Sequence, residues 1–288
     1  MKQFSFLGGR RRSVAVWLVL PLIWLTVCAS HGRAAETNSW PDGQTDIWHG
    51  YTRHHITVAG CPAWVVEPKQ ALPGHPWSWC LAFPEAFTER CATLQLLAAG
   101  YSAAFIDVGN TYGCPKAVGE FNAFYAKLAG EGLNARPVLI GLSRGGLYAY
   151  RWASENPGHV GLIYGDAPVC DFKSWPGGKG KGKGSPKDWQ SLLALYGFKD
   201  DAAALAYQGN PIDVLAPLAA AKIPIIHVVG DSDDVVPVAE NTAIIEKRYR
   251  ELGGLMQVIH KPGVSHHPHG LDDPQPVVDF ILKNNLGQ

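Results

Sequence analysis

Charge is scarce in this chain. Asp, Glu, Lys and Arg make up only 17% of its 288 residues, and the 25 acidic and 25 basic side chains cancel. With hydrophobic residues at 47%, that composition excludes a disordered, self-repelling polymer and fits a chain able to bury a large core. No repeat recurs at a fixed period, which excludes solenoids and propellers. No Cys-x-x-Cys pair occurs, which argues against a zinc ribbon or a dithiol redox centre. The longest apolar run, Val14–Val27, has 14 residues, short of the about 20 needed to span a bilayer.

That run belongs to a separate N-terminal segment. Lys2 and Arg10–Arg12 precede it, and Cys28-Ala-Ser-His-Gly-Arg-Ala-Ala35 closes it, the layout of a secretory signal peptide with cleavage after Ala29 or Ala34. Residues 1–34 are therefore expected to be a signal, 35–288 the mature chain, and the destination secreted or periplasmic. Lipoprotein and twin-arginine export fit the residues less well. Losing five basic and no acidic residues leaves 20 basic against 25 acidic side chains, a net −5. Such a chain is a poor binder of nucleic acid or anionic membrane, and no stable membrane insertion is expected after cleavage. Five cysteines remain, Cys61, Cys80, Cys91, Cys114 and Cys170. An odd count leaves at least one thiol unpaired; Cys114–Cys170 is a candidate disulfide, against the alternative of buried free thiols.

What is present is alternation. Apolar strands are expected at His54–Val58, Ala63–Glu67, Ser78–Phe83, Ala103–Val108, Pro137–Ile140, Val160–Tyr164, Ile223–Val229 and Leu255–His260. Helical patterns lie between them at Thr88–Ala98, Lys116–Gly130, Gly145–Glu155, Val238–Leu252 and Pro276–Asn284. Strands without polar alternation, separated by helices, predict an α/β architecture: a mainly parallel sheet covered on both faces. Residues 166–222 interrupt the rhythm after the sixth of these strands. An insertion there would stand above the strand ends where such sheets bind ligands. Within it, Gly177-Gly-Lys-Gly-Lys-Gly-Lys-Gly-Ser185 reads as a mobile exposed loop.

The chemistry concentrates in three places. Gly141-Leu-Ser-Arg-Gly-Gly146 sits between an apolar strand and a helix, the strand–turn–helix setting of a nucleophile elbow with Ser143 as nucleophile. A serine hydroxyl needs a base, and the base an orienting carboxylate. Gly230-Asp-Ser-Asp-Asp234 follows an apolar strand and offers Asp233 as the acid, with Asp234 and Asp231 as alternatives. Pro262-Gly-Val-Ser-His-His-Pro-His269 follows the last strand and offers His266 as the base, with His267 next. Three histidines in four residues also permit a metal cluster, but they lack the helical i, i+4 spacing of common metal motifs, so no metal and no cofactor is expected. His227 and His260, inside strands, read as structural. The oxyanion donors are expected to be the Arg144 N–H and one from Phe83-Pro-Glu-Ala-Phe87, Glu85 or Ala86, with Glu85 favoured. The Arg144 side chain would either pair with a neighbouring loop or bind an acidic or polar substrate group. Tyr112 and Trp175 are candidate substrate contacts, Trp175 for a sugar or aromatic ring.

These segments resemble the α/β-hydrolase superfamily over roughly residues 53–285. Within it they resemble secreted bacterial esterases and prolyl-oligopeptidase-like serine hydrolases, through Gly-Leu-Ser-Arg-Gly-Gly, Gly-Asp-Ser-Asp-Asp-Val-Val-Pro and Pro-Gly-Val-Ser-His-His. The resemblance implies a Ser143, Asp233, His266 triad and ester cleavage through an acyl-enzyme. The Ser-Arg pair at the elbow is also similar to glucuronoyl esterases, whose acid is usually a glutamate placed differently. The expected ligand is a small-molecule or oligosaccharide ester. A serine peptidase, an acyltransferase with the same triad, or a silent carbohydrate-binding protein are the other readings.

Overall fold

The structure is a computed structural model that describes residues 43–287; the expected signal segment lies outside the described residues. Nine strands form one sheet: β1 (Thr45–Trp48), β2 (Tyr51–Val58), β3 (Cys61–Val66), β4 (Trp77–Cys80), β5 (Ser102–Ile106), β6 (Val138–Leu142), β7 (Leu162–Asp166), β8 (Ile225–Gly230) and β9 (Met256–Lys261). Their order is β1-β2-β3-β5-β4-β6-β7-β8-β9. The first four in that order pair antiparallel; from β5 to β9 every pairing is parallel. Every residue of β4, β6, β7 and β8 is buried, as a parallel sheet covered on both faces requires.

Two apolar layers supply the cover. On one face α2 (Pro115–Gly130) and α3 (Gly145–Glu155) pack Phe121, Phe124, Tyr148 and Trp152 against Trp77, Trp79, Leu139 and Ile163. On the other, Leu96 of α1 (Thr93–Ala98) and Val277, Val278 and Ile281 of α8 (Gln275–Asn284) meet Val138, Ile140, Tyr164 and Ile226. The alternation of side chains along each strand thus divides between two cores. Pro115 opens α2 at its first turn, where its missing N–H costs nothing.

Three expectations need correction. β1 was invisible in the pattern because only Trp48 of its four residues is buried; the insertion therefore follows the seventh strand. The insertion is built from α4 (Pro186–Tyr196), α5 (Asp201–Leu205) and α6 (Ala216–Ala220), gathered by an aromatic cluster in which Phe172 stacks on Tyr207 at 5.2 Å and Tyr196 on Phe198 at 5.4 Å. The glycine–lysine run is not a loose loop. Its backbone is fastened by Lys183 N–H to the Asp234 carbonyl (3.1 Å) and Ser185 N–H to Pro176 (2.8 Å), and the Lys181 N–H donates to the Glu240 carboxylate. Gly182 is buried, and a Cβ there would come within 3.0 Å of Pro237. The chain between β8 and β9 holds a short 3-10 turn, Val238–Glu240, before α7 (Thr242–Glu251), where one continuous helix was expected.

All five cysteines in the described residues are free thiols, so Cys114–Cys170 is not a disulfide. Cys80, Cys91, Cys114 and Cys170 are buried. Burial pushes Cys80 up to about 12 and raises Cys91 and Cys170 well above the ordinary thiol value, so these three are inert packing groups at neutral pH.

Candidate active site

The turn from β6 into α3 places Ser143 in a strained left-handed conformation, φ 49°, a region that non-glycine residues seldom enter outside functional turns. Glycines make the turn possible. A Cβ on Gly141 would meet the Gly145 carbonyl at 2.8 Å, and one on Gly146 the Val169 carbonyl at 2.6 Å. The turn is pinned to β7 by Ser143 N–H donating to the Asp166 carbonyl (2.9 Å) and Val169 N–H to the Ser143 carbonyl (2.8 Å). The half-buried serine oxygen stands at the start of α3.

Three segments far apart in sequence converge on it. Ser143 Oγ lies 3.0 Å from His266 Nε2, and His266 Nδ1 lies 2.7 Å from Asp233 Oδ2. Asp233 has its other oxygen, Oδ1, filled by the N–H groups of Val235 (2.9 Å) and Val236 (2.8 Å). Those donors lock the carboxylate in orientation. It then accepts the His266 Nδ1 proton, which leaves the Nε2 lone pair facing the serine. Asp233 and His266 are both buried. The alternatives are engaged elsewhere: Asp231 pairs with His260 at 2.6 Å, and the exposed Asp234 pairs with Lys183, which lowers its carboxyl below the usual range. His267 is exposed, and burial of its ring with the neighbouring histidines still holds it below the ordinary imidazole value.

The loop after β4 is the one expected to supply the second oxyanion donor. Ala86 N–H is spent on the Phe83 carbonyl at 2.9 Å. Glu85 turns toward the sheet edge, its carboxylate accepting from Trp48 Nε1 (2.7 Å) and Arg53 (2.8 Å). The residues against the elbow are Ala82, whose Cβ would touch a Cβ on Gly145 at 3.2 Å, and Phe83, whose ring lies 4.7 Å from the Arg144 guanidinium. Phe83 was missed; its signal, φ 56° on a bulky residue, exists only in the folded chain. Arg144 forms no salt bridge among the described residues and stacks on Phe83 instead. With Asp107, Asn110 and Tyr148 these two line a cavity of about 70 Å³ beside the elbow.

Tyr112 is buried, and its hydroxyl donates to Asp188 at 2.5 Å. Trp175 packs against Tyr112 with ring centroids 6.3 Å apart. Tyr112 is thus fully enclosed, whereas Trp175 is half-buried. His227 is structural, held at 2.8 Å from the Tyr150 hydroxyl and 2.9 Å from Thr242 Oγ1, and burial lowers its imidazole to about 3.

A second carboxylate–imidazole pair was also missed. His269 Nδ1 lies 2.7 Å from Asp166 Oδ1, and the wholly buried Asp166 further accepts from the Tyr164 hydroxyl (2.7 Å) and Gly270 N–H (2.9 Å). The loop thereby brings one ring nitrogen from each of His266, His267 and His269 within 4.8 Å of one another, the grouping that three histidines in four residues permit. Among the described residues no helix is long and apolar enough to cross a membrane.

No family model matches the chain, and the search of curated proteins gives no match. Solved structures do match. A Mycobacterium tuberculosis puromycin-hydrolyzing peptidase superposes with a TM-score of 0.62 at 15% identity, over 85% of this chain and 40% of the peptidase. Porphyromonas gingivalis dipeptidyl peptidase 4 gives 0.60 at 15% identity, over 84% of this chain and 36% of the peptidase. A bacterial membrane phospholipase A, a virulence factor, gives 0.53 at 16% identity, over 81% of this chain and 86% of the phospholipase. The chain spans less than half the length of the peptidases it matches. At these identities the likeness speaks to architecture: the sheet, its helices and its elbow are those of the α/β-hydrolase fold.

Proposed function

We propose that this α/β-hydrolase-fold protein is a serine hydrolase that cleaves carboxylic esters through an acyl-enzyme. One observation carries the proposal: a serine with φ 49° whose Oγ stands 3.0 Å from the Nε2 of a buried, carboxylate-held histidine. Ser143 attacks the ester carbonyl while His266 Nε2 takes its proton. The imidazolium so formed is stabilised by Asp233, and it returns the proton to the leaving alcohol. Water then repeats the sequence on the acyl-enzyme. The Arg144 N–H is one oxyanion donor; the second comes from the loop after β4, from Glu85 or Phe83, since the Ala86 N–H is already bonded to the Phe83 carbonyl. Losing one such donor typically costs about 3 kcal/mol.

The cavity of about 70 Å³ on the Arg144 side suits a short acyl group. With Tyr112 buried and Trp175 half-buried against it, a small ester is the substrate class we favour. A peptidase is the second reading, favoured by the names of the peptidases with this fold. Secretion or periplasmic export, resting on residues 1–34, remains part of the proposal.

The test is turnover of p-nitrophenyl acetate and of an aminoacyl p-nitroanilide by the protein and by its Ser143→Ala variant. Ester turnover that vanishes in the folded variant supports the proposal. Turnover of the anilide alone replaces it with the peptidase. Turnover of neither removes both.

A further inference from the structure

The relay through Ser143, His266 and Asp233 leaves the Asp166–His269 pair without a task. The pair is buried at 0% and 3% exposure and lies against the proposed base. The ring centroids of His266, His267 and His269 are each 4.9 Å from the other two, with interplanar angles of 74°, 78° and 87°. Two of the three rings are oriented alike: His266 gives Nδ1 to Asp233 and His269 gives Nδ1 to Asp166, both at 2.7 Å. A carboxylate on Nδ1 fixes the tautomer and leaves a basic Nε2, the outer support that metal-binding histidines almost always have. The third ring, His267, is exposed, which gives an ion a path in and gives that side chain room to swing. Nitrogens within 4.8 Å of one another must close somewhat to ligate zinc at ~2.0–2.1 Å. His267, exposed and stacked on Phe87 at 6.0 Å, is the ring that would shift to do so. An all-imidazole donor set suits zinc and its late first-row neighbours and disfavours magnesium or calcium.

We propose that His266, His267 and His269 form a binding site for a divalent transition-metal ion of the zinc type, and that the bound ion silences Ser143. The ion takes the Nε2 lone pair of His266, the atom that must accept the serine proton, and the serine oxygen loses its hydrogen bond. No covalent bond is made, so removing the ion restores the site. The site itself stands on the three rings and two carboxylates; the silencing rests on His266 being the base of the proposed hydrolase.

Zinc chloride titrated into the full protein, into Ser143→Ala and into His267→Ala, followed by calorimetry, tests the site without reference to turnover. One ion per chain in the first two proteins, with affinity in His267→Ala reduced by at least the about 10–100-fold that loss of an outer-shell partner costs, supports it. Absence of saturable binding, or equal binding by His267→Ala, overturns it. Where ester or anilide turnover is present, each protein is compared with its own metal-free rate. Inhibition that follows zinc occupancy, reverses with a chelator and weakens with His267→Ala supports the silencing; full activity at saturating zinc overturns it. Loss of the hydrolase reading would remove only this second arm.

Discussion

Two glycine-rich segments lie within reach of the proposed chemistry, and they are alike in composition. The elbow, Gly141–Gly146, needs one glycine for its own turn and two for distant segments: a Cβ on Gly141 would meet Gly145 at 2.8 Å, one on Gly145 would meet Ala82 at 3.2 Å, and one on Gly146 would meet Val169 at 2.6 Å. The strap, Gly177–Gly184, needs Gly180 and Gly182 for the distant turn at residues 235–240, and Gly177, Gly178 and Gly184 for its own neighbourhood. A Cβ on Gly180 would strike the Glu240 carboxylate at 2.4 Å, and one on Gly182 would meet Pro237 at 3.0 Å. Gly184, at φ 61°, is pressed against the strap itself, where a Cβ would come within 2.6 Å of Gly178 Cα. Both segments mix approaches within a turn with approaches to distant elements. The elbow is recognisable because a serine stands between its glycines, directly after an apolar strand and before a helix; the strap's Gly-Lys alternation carries no such mark and reads as flexible linker.

The comparison breaks most visibly at the elbow. Ser143→Ala should lower turnover on the order of 10⁶-fold while leaving the urea midpoint near that of the parent. Asp233→Asn should cost about 10⁴-fold by presenting the wrong His266 tautomer. Parent-like turnover in either would separate the elbow from the chemistry.

Stability should then treat both segments as packed. Gly146→Ala and Gly184→Ala are each expected to lose about 1–3 kcal/mol in urea unfolding, the first through overpacking against Val169 and Pro168, the second through a strained positive φ. The strap also carries Lys179, Lys181 and Lys183, so trypsin measures its order directly. The native parent should resist cleavage there, and Gly184→Ala should be nicked faster. Rapid cutting of the parent would restore the mobile-loop reading.

His227 joins the two regions. Its ring holds Tyr150 of the elbow helix and Thr242 of α7, which follows the turn that receives the strap. Burial keeps the folded imidazole neutral down to about 3, whereas the unfolded chain gains a proton near 6.5. The unfolded state therefore binds more protons between these values. The contribution of His227 is complete above pH 6.5 and drains away as pH falls toward 3. The urea midpoint should fall over that window, and fall less steeply in His227→Gln.

The smallest effect belongs to the strap's charges. Lys183 and Asp234 are paired but largely exposed, and Lys183→Ala should leave turnover and the urea midpoint unchanged. A lost midpoint would show that the strap is held by charge and not by its fitted backbone.

The limits of the sequence follow the same division. Ser143, Asp233 and His266 were legible because each ends an apolar strand and sits in a short turn, so strand order alone brings them to one edge of the sheet. The contacts of the Glu85 carboxylate with Trp48 and Arg53 join residues on other strands and are not written in the loop after β4. That Tyr112 is buried with its hydroxyl on Asp188, 76 residues away, is not written in its neighbours. The Asp166–His269 pair joins positions 103 residues apart; nothing local marks it. The sequence by itself determined the strand–helix alternation, and with it the parallel sheet and the convergence of serine, acid and histidine, because hydrophobic period and turn chemistry act over a few residues. Only the tertiary structure decided which thiols stay free, that the glycine strap is fitted and that three histidines meet, because those outcomes depend on contacts between segments that approach only when the whole chain is packed.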